Sequence, residues 1–258
     1  MIIDFKKYSS VRIGEAFEVE VLDTKREFEG FVIGGANNLL ISPSPKKLAL
    51  LGKEFDFIEV IEQNSSFCML KIGCACNAKK IYLFAKKHNL AGFEFLGKIP
   101  GLLGGLLKMN AGLKEENISK NLLSISTADK ELLKEDCAFS YRCCGVKKVM
   151  FEAIFSLKYG FDEQKDEALK QARNNQPNGA SFGSIFKNPK DDFAGRLIEV
   201  VGLKGFKKGD AMISKKHANF LINTKNASFD DAFFLIELAK KRVFEEFGIH
   251  LEKEVIII

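Results

Sequence analysis

The 258-residue sequence has no tryptophan, three histidines and five prolines, and none of its six cysteines forms a C-x-x-C pair. These gaps exclude several chemistries. Cys74-x-Cys76 and Cys143-Cys144 have no histidine neighbours to complete a tetrahedral zinc site. Cysteines placed this way read as reduced, mostly buried thiols of a cytoplasmic protein. No window is apolar for long enough to cross a bilayer as a helix. Met1-Ile2-Ile3-Asp4-Phe5-Lys6 lacks the cationic-then-apolar order of a signal peptide. The net charge is only +5, with lysines singly or in pairs, as at Lys79-Lys80, Lys86-Lys87 and Lys207-Lys208. A nucleic-acid footprint would cluster them on one element, whereas scatter suits a solvated surface or an anionic small molecule. The missing tryptophan, beside 24 phenylalanines, supports no functional reading.

What is present is enough for one large domain or two to three small ones. Phe17, Val19 and Val21 alternate with Glu18 and Glu20, the pattern of a half-buried strand. Further strands are expected at 28–33, 67–72, 122–127 and 149–157, with a closing strand over 252–258. Asn77 caps a helix carrying Ile81, Phe84 and Ala85 on one face. Residues 162–173 are charged and helix-forming, and a short helix over 193–201 ends at Gly202. The clearest helix is 229–247, with Ser228 as cap, Asp231 in its first turn and Gly248 as stop.

Three polar or glycine-rich stretches break these patterns. Gly34-Gly35-Ala36-Asn37-Asn38-Leu39 follows a strand, and glycine there lets backbone N–H groups approach an anion. The run from Gly97 to Gly112 contains Pro100-Gly101, Gly104-Gly105 and Asn110-Ala111-Gly112. Two such stretches suggest a backbone moulded along an extended ligand. Gly92 to Lys98 also fits G-x-x-x-x-G-K, but Ile99 stands where a phosphate loop needs Ser or Thr, and Pro100 forbids the helix that should start there. The third stretch, Ala180 to Pro189, sets Ser181, Gly183, Ser184, Lys187 and Asn188 among apolar residues, as a site placing a few polar groups in a dry pocket requires.

Taken in order, Gly34 to Leu40, Gly97 to Gly112, Tyr141-Arg142, Gly183-Ser184-Ile185-Phe186-Lys187-Asn188-Pro189, Lys216-His217-Ala218-Asn219-Phe220 and Leu251-Glu252-x-Glu254-Val255 resemble the UDP-N-acetylenolpyruvoylglucosamine reductase family over nearly the whole chain. The resemblance implies an α+β protein. It has a two-subdomain FAD-binding module of the vanillyl-alcohol-oxidase/PCMH type (1–52 and 53–160) and a substrate domain (161–258) whose tail, about 249–258, returns to the active site. It implies reduction of UDP-N-acetylglucosamine enolpyruvate to UDP-N-acetylmuramate, with non-covalent FAD and NADPH, in peptidoglycan precursor synthesis by a cytoplasmic monomer. By resemblance Ser184 donates the proton, and Arg142 and Glu254 stabilise the intermediate. Gly34, Gly35, Ala36, Asn37, Asn38, Leu39, Pro100, Gly101, Gly104, Gly105, Asn110, Ala111 and Gly112 hold the flavin. Tyr141, Arg142, Lys187, Asn188, His217 and Asn219 hold the substrate.

The chain departs from the family pattern in places. The usual third glycine and serine of the first motif are Ala36 and Asn37, the serine expected after Tyr-Arg-x is Cys144, and Glu115-Glu116 replace a glycine pair. It resembles the short subgroup without an extra substrate-covering loop. The alternative within the same fold is an FAD-dependent sugar or hydroxy-acid oxidase, which would want a His or Tyr base near the flavin. None of the three histidines lies in a glycine stretch.

Overall fold

The structure, a computed structural model, describes residues 1–174 and 176–258. The chain forms two compact units, a central one of Glu20–Gly35 and Lys47–Asn174 and a C-terminal one of Met1–Val19, Ala36–Lys46 and 175–258. Two N-terminal stretches thus belong to the C-terminal unit. Both units mix helix and strand.

The central unit is built on a five-stranded antiparallel sheet in the order Glu131–Leu133, Leu122–Ser126, Glu152–Lys158, Phe67–Gly73, Ile58–Gln63. In Phe67–Gly73 the residues Cys68, Leu70 and Ile72 are buried and those between are half-buried, so period-2 alternation sets one face toward the core. Ile81 and Ala85 of the helix Ala78–Lys87 share a core with Leu70, Ile72, Phe155 and Leu157. That helix starts where the Asn77 side chain accepts from the Lys79 N–H. The expected strand over 28–33 shrinks to Phe31–Val32, paired parallel with Leu48–Ala49. Gly30 backs onto the Lys47 carbonyl so closely that no side chain fits, and pairing begins only when the Phe31 N–H reaches that same carbonyl at 2.8 Å.

The C-terminal unit packs the helix Phe229–Phe247 against a small antiparallel sheet, Lys207–Lys208, Ala211–Ile213 and Leu221–Asn223. Ala232, Leu235, Ile236, Ala239 and Val243 form the buried stripe, at spacings of three and four. Each large aliphatic among them contributes about 1.5–3 kcal/mol by leaving water. Ser228 and Asp231 make a reciprocal capping box, and Gly248, at φ +67°, ends the helix in the left-handed conformation. Ile2–Asp4 pairs with Ala16–Glu18. The expected closing strand is short: Ile256–Ile257 pairs parallel with Leu39–Leu40. The N–H groups of Glu254 and Val255 go elsewhere, to the Ile185 carbonyl.

Candidate active site

In the C-terminal unit the segment 180–189 is anchored by its apolar members. Phe182, Ile185 and Phe186 are fully buried, in one core with Leu197, Ile198, Leu235 and Ile236. The polar members between them stay partly exposed, which resolves the mixed composition. Gly183, at φ +87°, turns the chain in a conformation that a side chain disfavours, and its N–H reaches the Ser181 hydroxyl at 3.2 Å. Ser184 follows at once, half-buried.

From there the backbone is held on two sides. On one, Ser184 bridges Phe220 in antiparallel sense, and the Ile185 N–H donates to the Asn219 carbonyl at 2.8 Å. On the other, the Ile185 carbonyl accepts from the N–H groups of Glu254, at 2.9 Å, and Val255, at 3.2 Å, and the Lys187 N–H donates to the Glu252 carbonyl. Ser184 and Glu254, 70 positions apart, are thus joined through the backbone of the single residue Ile185. The Asn38 side chain donates to the Glu254 carbonyl at 2.8 Å and adds the first glycine motif to the same assembly.

Each residue expected to hold substrate in this unit also has a protein partner. Lys187 pairs with Glu252 at 2.5 Å. The Asn188 side chain accepts from the Ala194 N–H and caps the short helix Ala194–Val200. Asn219 makes two bonds to the backbone of Phe186, and its own N–H donates to His217 Nδ1 at 3.2 Å. Burial holds the His217 pKa below its ordinary value, so the ring stays neutral and its Nδ1 remains an acceptor. His88 stacks on Phe84 and His250 on Phe244. Each of the three histidines thus has a partner within the protein.

The central unit brings the second glycine stretch to Tyr141-Arg142. A Cβ added to Gly34 would meet Leu102 at 3.7 Å, so Gly34 lies against the second glycine stretch. The N–H groups of Leu103 and Gly104 donate to the carbonyls of Cys76 and Cys74, while a Cβ on Gly105 would point into open space. The Asn110 side chain donates to the Ser140 carbonyl at 2.9 Å, one residue before Tyr141. Its Oδ1 is buried and without a hydrogen-bond partner, as befits an acceptor reserved for a ligand. Ser140 and Cys143 close a tight turn in which Tyr141 is exposed and Arg142 adopts φ +54°, its guanidinium 5.4 Å from the Tyr141 ring centre.

Sequence reasoning missed Arg173. Burial and the neighbouring Arg142 charge both pull its guanidinium below its usual pKa, which places two cationic side chains close together. Arg173 ends a run of charged, helix-forming residues, so its pattern reads as solvated surface. Among the described residues, no cluster of three His, Cys, Asp or Glu suits a metal ion, and no helix is long and apolar enough to cross a membrane.

Residues 175–258 match the family model described as UDP-N-acetylenolpyruvoylglucosamine reductase, C-terminal domain. The UDP-N-acetylenolpyruvoylglucosamine reductase of Campylobacter jejuni strain RM1221 is 69% identical over the full length of both chains. That of Helicobacter pylori strain 26695 is 47% identical over 99% of this chain and 98% of its own. Among solved structures, UDP-N-acetylenolpyruvylglucosamine reductase from Thermus caldophilus superposes with a TM-score of 0.85 at 26% identity, covering 100% of this chain and 98% of that one. Identity of this order over whole chains assigns the family, and the chain belongs to the UDP-N-acetylenolpyruvoylglucosamine reductases.

Proposed function

We propose that the protein reduces the enol ether of UDP-N-acetylglucosamine enolpyruvate to the lactyl ether of UDP-N-acetylmuramate, using NADPH, in the synthesis of peptidoglycan precursors. The observation that carries this reading is the joining of Ser184 to Glu254 through the Ile185 carbonyl. It supports a hydroxyl and a carboxyl serving the same end of one substrate.

The residues of the central unit fit a flavin of the FAD type. The unpartnered Asn110 Oδ1 suits a donor on the cofactor, and Gly34, Gly101, Gly104 and Gly105 carry no side chain to keep a ligand from their backbone. The two-subdomain FAD-binding module expected from sequence is part of this proposal. Bound there and reduced by NADPH, FAD would supply the hydride chemistry that the enol ether needs. The chain's own residues handle the rest. As hydride arrives, negative charge develops toward the substrate carboxylate, and Arg142 is the cation assigned to it. A fixed cation acts most strongly where water is excluded, and removing one such group costs about 100- to 1,000-fold in rate. Ser184 gives its hydroxyl proton to the carbon bearing the carboxylate. A neutral hydroxyl suffices because an enolate carbon is a strong base, and the serine oxygen then regains a proton from solvent. Glu254 is the second group assigned to stabilise the intermediate. Lys187, Asn188 and His217 stay assigned to the substrate's anionic groups.

The test is a colour cycle. The purified protein is expected to be yellow, to bleach with NADPH and to recover when the enolpyruvyl sugar nucleotide is added, with a product two hydrogens heavier. Bleached protein that keeps its spectrum in the presence of that substrate would refute the proposal. Ser184→Ala is expected to bleach normally and to recover about 100-fold more slowly or worse. Equal slowing of both halves would mean that Ser184 only shapes the turn.

A further inference from the structure

We propose that Asn219 is a positioning residue for proton delivery, holding Ser184 in place through the backbone of Phe186. The proposal rests on the reading of Ser184 as the proton donor. The pairing that begins at Ser184 and Phe220 has no main-chain partner to continue with at Phe186, because 217–220 is itself a turn, closed by the Phe220 N–H on the His217 carbonyl. The side-chain amide of Asn219 takes the place of the missing strand residue. Its Oδ1 accepts from the Phe186 N–H at 2.9 Å, and its Nδ2 donates to the Phe186 carbonyl at 2.7 Å. Its main-chain carbonyl meanwhile accepts from the Ile185 N–H.

Only a side chain with one donor and one acceptor at this spacing can make both bonds, and only one orientation of the amide satisfies them. Asn219 is 3% exposed, so the bonds are dry and water cannot replace them. With Glu254 and Val255 on the opposite edge of Ile185, the peptide planes that follow Ser184 are held from both sides. Asn219 therefore acts one step from the chemistry, through the angle at which the serine hydroxyl leaves the backbone.

The variant Asn219→Asp separates this role from a merely structural one. A protonated carboxyl reproduces the amide, with an O–H donating to the Phe186 carbonyl and an oxygen accepting from its N–H. The ionised carboxylate points an acceptor at a carbonyl in a dry site, so the group should titrate above the usual carboxylate range. The measurement uses holoenzyme reduced by NADPH and mixed with saturating enolpyruvyl UDP-sugar, with flavin reoxidation followed against pH. The variant should match wild type at about pH 5.5 and fall about 10- to 100-fold behind it by about pH 8. Asn219 was expected to hold substrate, but both ends of its amide are taken up by Phe186, so the proposal reassigns it, and flavin reduction and substrate Kd should stay unchanged. The other ionisable groups nearby are His217, which accepts the Asn219 N–H, and Lys187, Glu252, Lys253 and Glu254 on the flanking segments. They are common to both proteins, so wild type at each pH is the reference. Asn219→Ser, which can satisfy at most one of the two Phe186 groups, should be slow at every pH without a titration.

A reoxidation rate in the folded Asp variant that tracks wild type at every pH, with only the melting temperature titrating, would overturn the proposal. A weakened substrate Kd with an unchanged saturated rate would overturn it too, and make Asn219 a substrate ligand. Ser184→Ala is run alongside. If it reoxidises at the wild-type rate, the donor assignment itself fails and the proposal with it. If it is slow while the Asp variant shows no pH-dependent deficit, only the positioning role fails.

Discussion

The segment around Ser184 and the turn carrying Tyr141-Arg142 solve the same problem differently. Each must aim one polar side chain. Ser184 sits in a backbone that is hydrogen-bonded on both edges and nailed to the core by Phe182, Ile185 and Phe186. Arg142 sits in a four-residue turn closed by Ser140 and Cys143, tied to its surroundings through Asn110. The difference follows the chemistry assigned to each. Proton transfer depends steeply on distance and angle, so a short hydroxyl needs a rigid mount. A guanidinium acts through a long-range field and tolerates a looser one.

The contrast is broken most directly at Arg142. Arg142→Ala is expected to lower the oxidative half-reaction about 100-fold or more while changing stability by less than about 1 kcal/mol. Stopped-flow reoxidation and thermal melts check the two halves of that statement. A variant that melts far lower, with its rate loss explained by unfolded protein, would show the turn to be as integral as the serine segment.

A second experiment uses acid. His217 stabilises the serine mount by accepting the Asn219 N–H, and burial holds its pKa below the usual value. The folded protein therefore resists protonation that the unfolded chain accepts. Stability is fully present above the unfolded histidine value of about 6.5 and is lost as pH falls through the lower folded value. Melting temperature should drop from about pH 7.5 to about pH 5, and His217→Asn, whose amide oxygen can accept the same N–H without titrating, should flatten that drop. A wild-type curve with no acid limb attributable to His217 would show the Asn219 bond to be dispensable to the mount.

How much of this was legible in sequence depends on contact range. The helices Ala78–Lys87 and Phe229–Phe247 could be read to within a residue, because a cap, an apolar stripe and a stop are all local signals. Ser184 could be singled out because a hydroxyl between buried phenylalanines has no use as plain core. What flanks it could not be read. Asn219 and Glu254 meet the segment across 34 and 69 intervening residues respectively, and neither carries a periodic signal. The same limit misjudged the tail: Glu252 to Val255 has strand composition, yet its N–H groups serve Ile185, and only Ile256–Ile257 pairs as a strand. The two-unit division was equally hidden, since the chain passes from one unit to the other between Gly35 and Ala36, inside what reads as one motif.

That crossing gives the smallest and most specific prediction. Ala36 is where the family's glycine would stand, and it adopts φ +46°, the left-handed region. An alanine there strains its Cβ against the backbone by about 1 kcal/mol, and glycine does not. The conformation is nevertheless enforced, because the Ala36 carbonyl accepts from the Ser10 N–H at 3.2 Å and the residue is buried. Ala36→Gly should therefore stabilise the protein by no more than about 0.5 kcal/mol, the relief of strain less the greater freedom glycine has when unfolded. Chemical denaturation measures the gain, and a destabilised Gly variant would mean that the Ala36 methyl packs more than it strains.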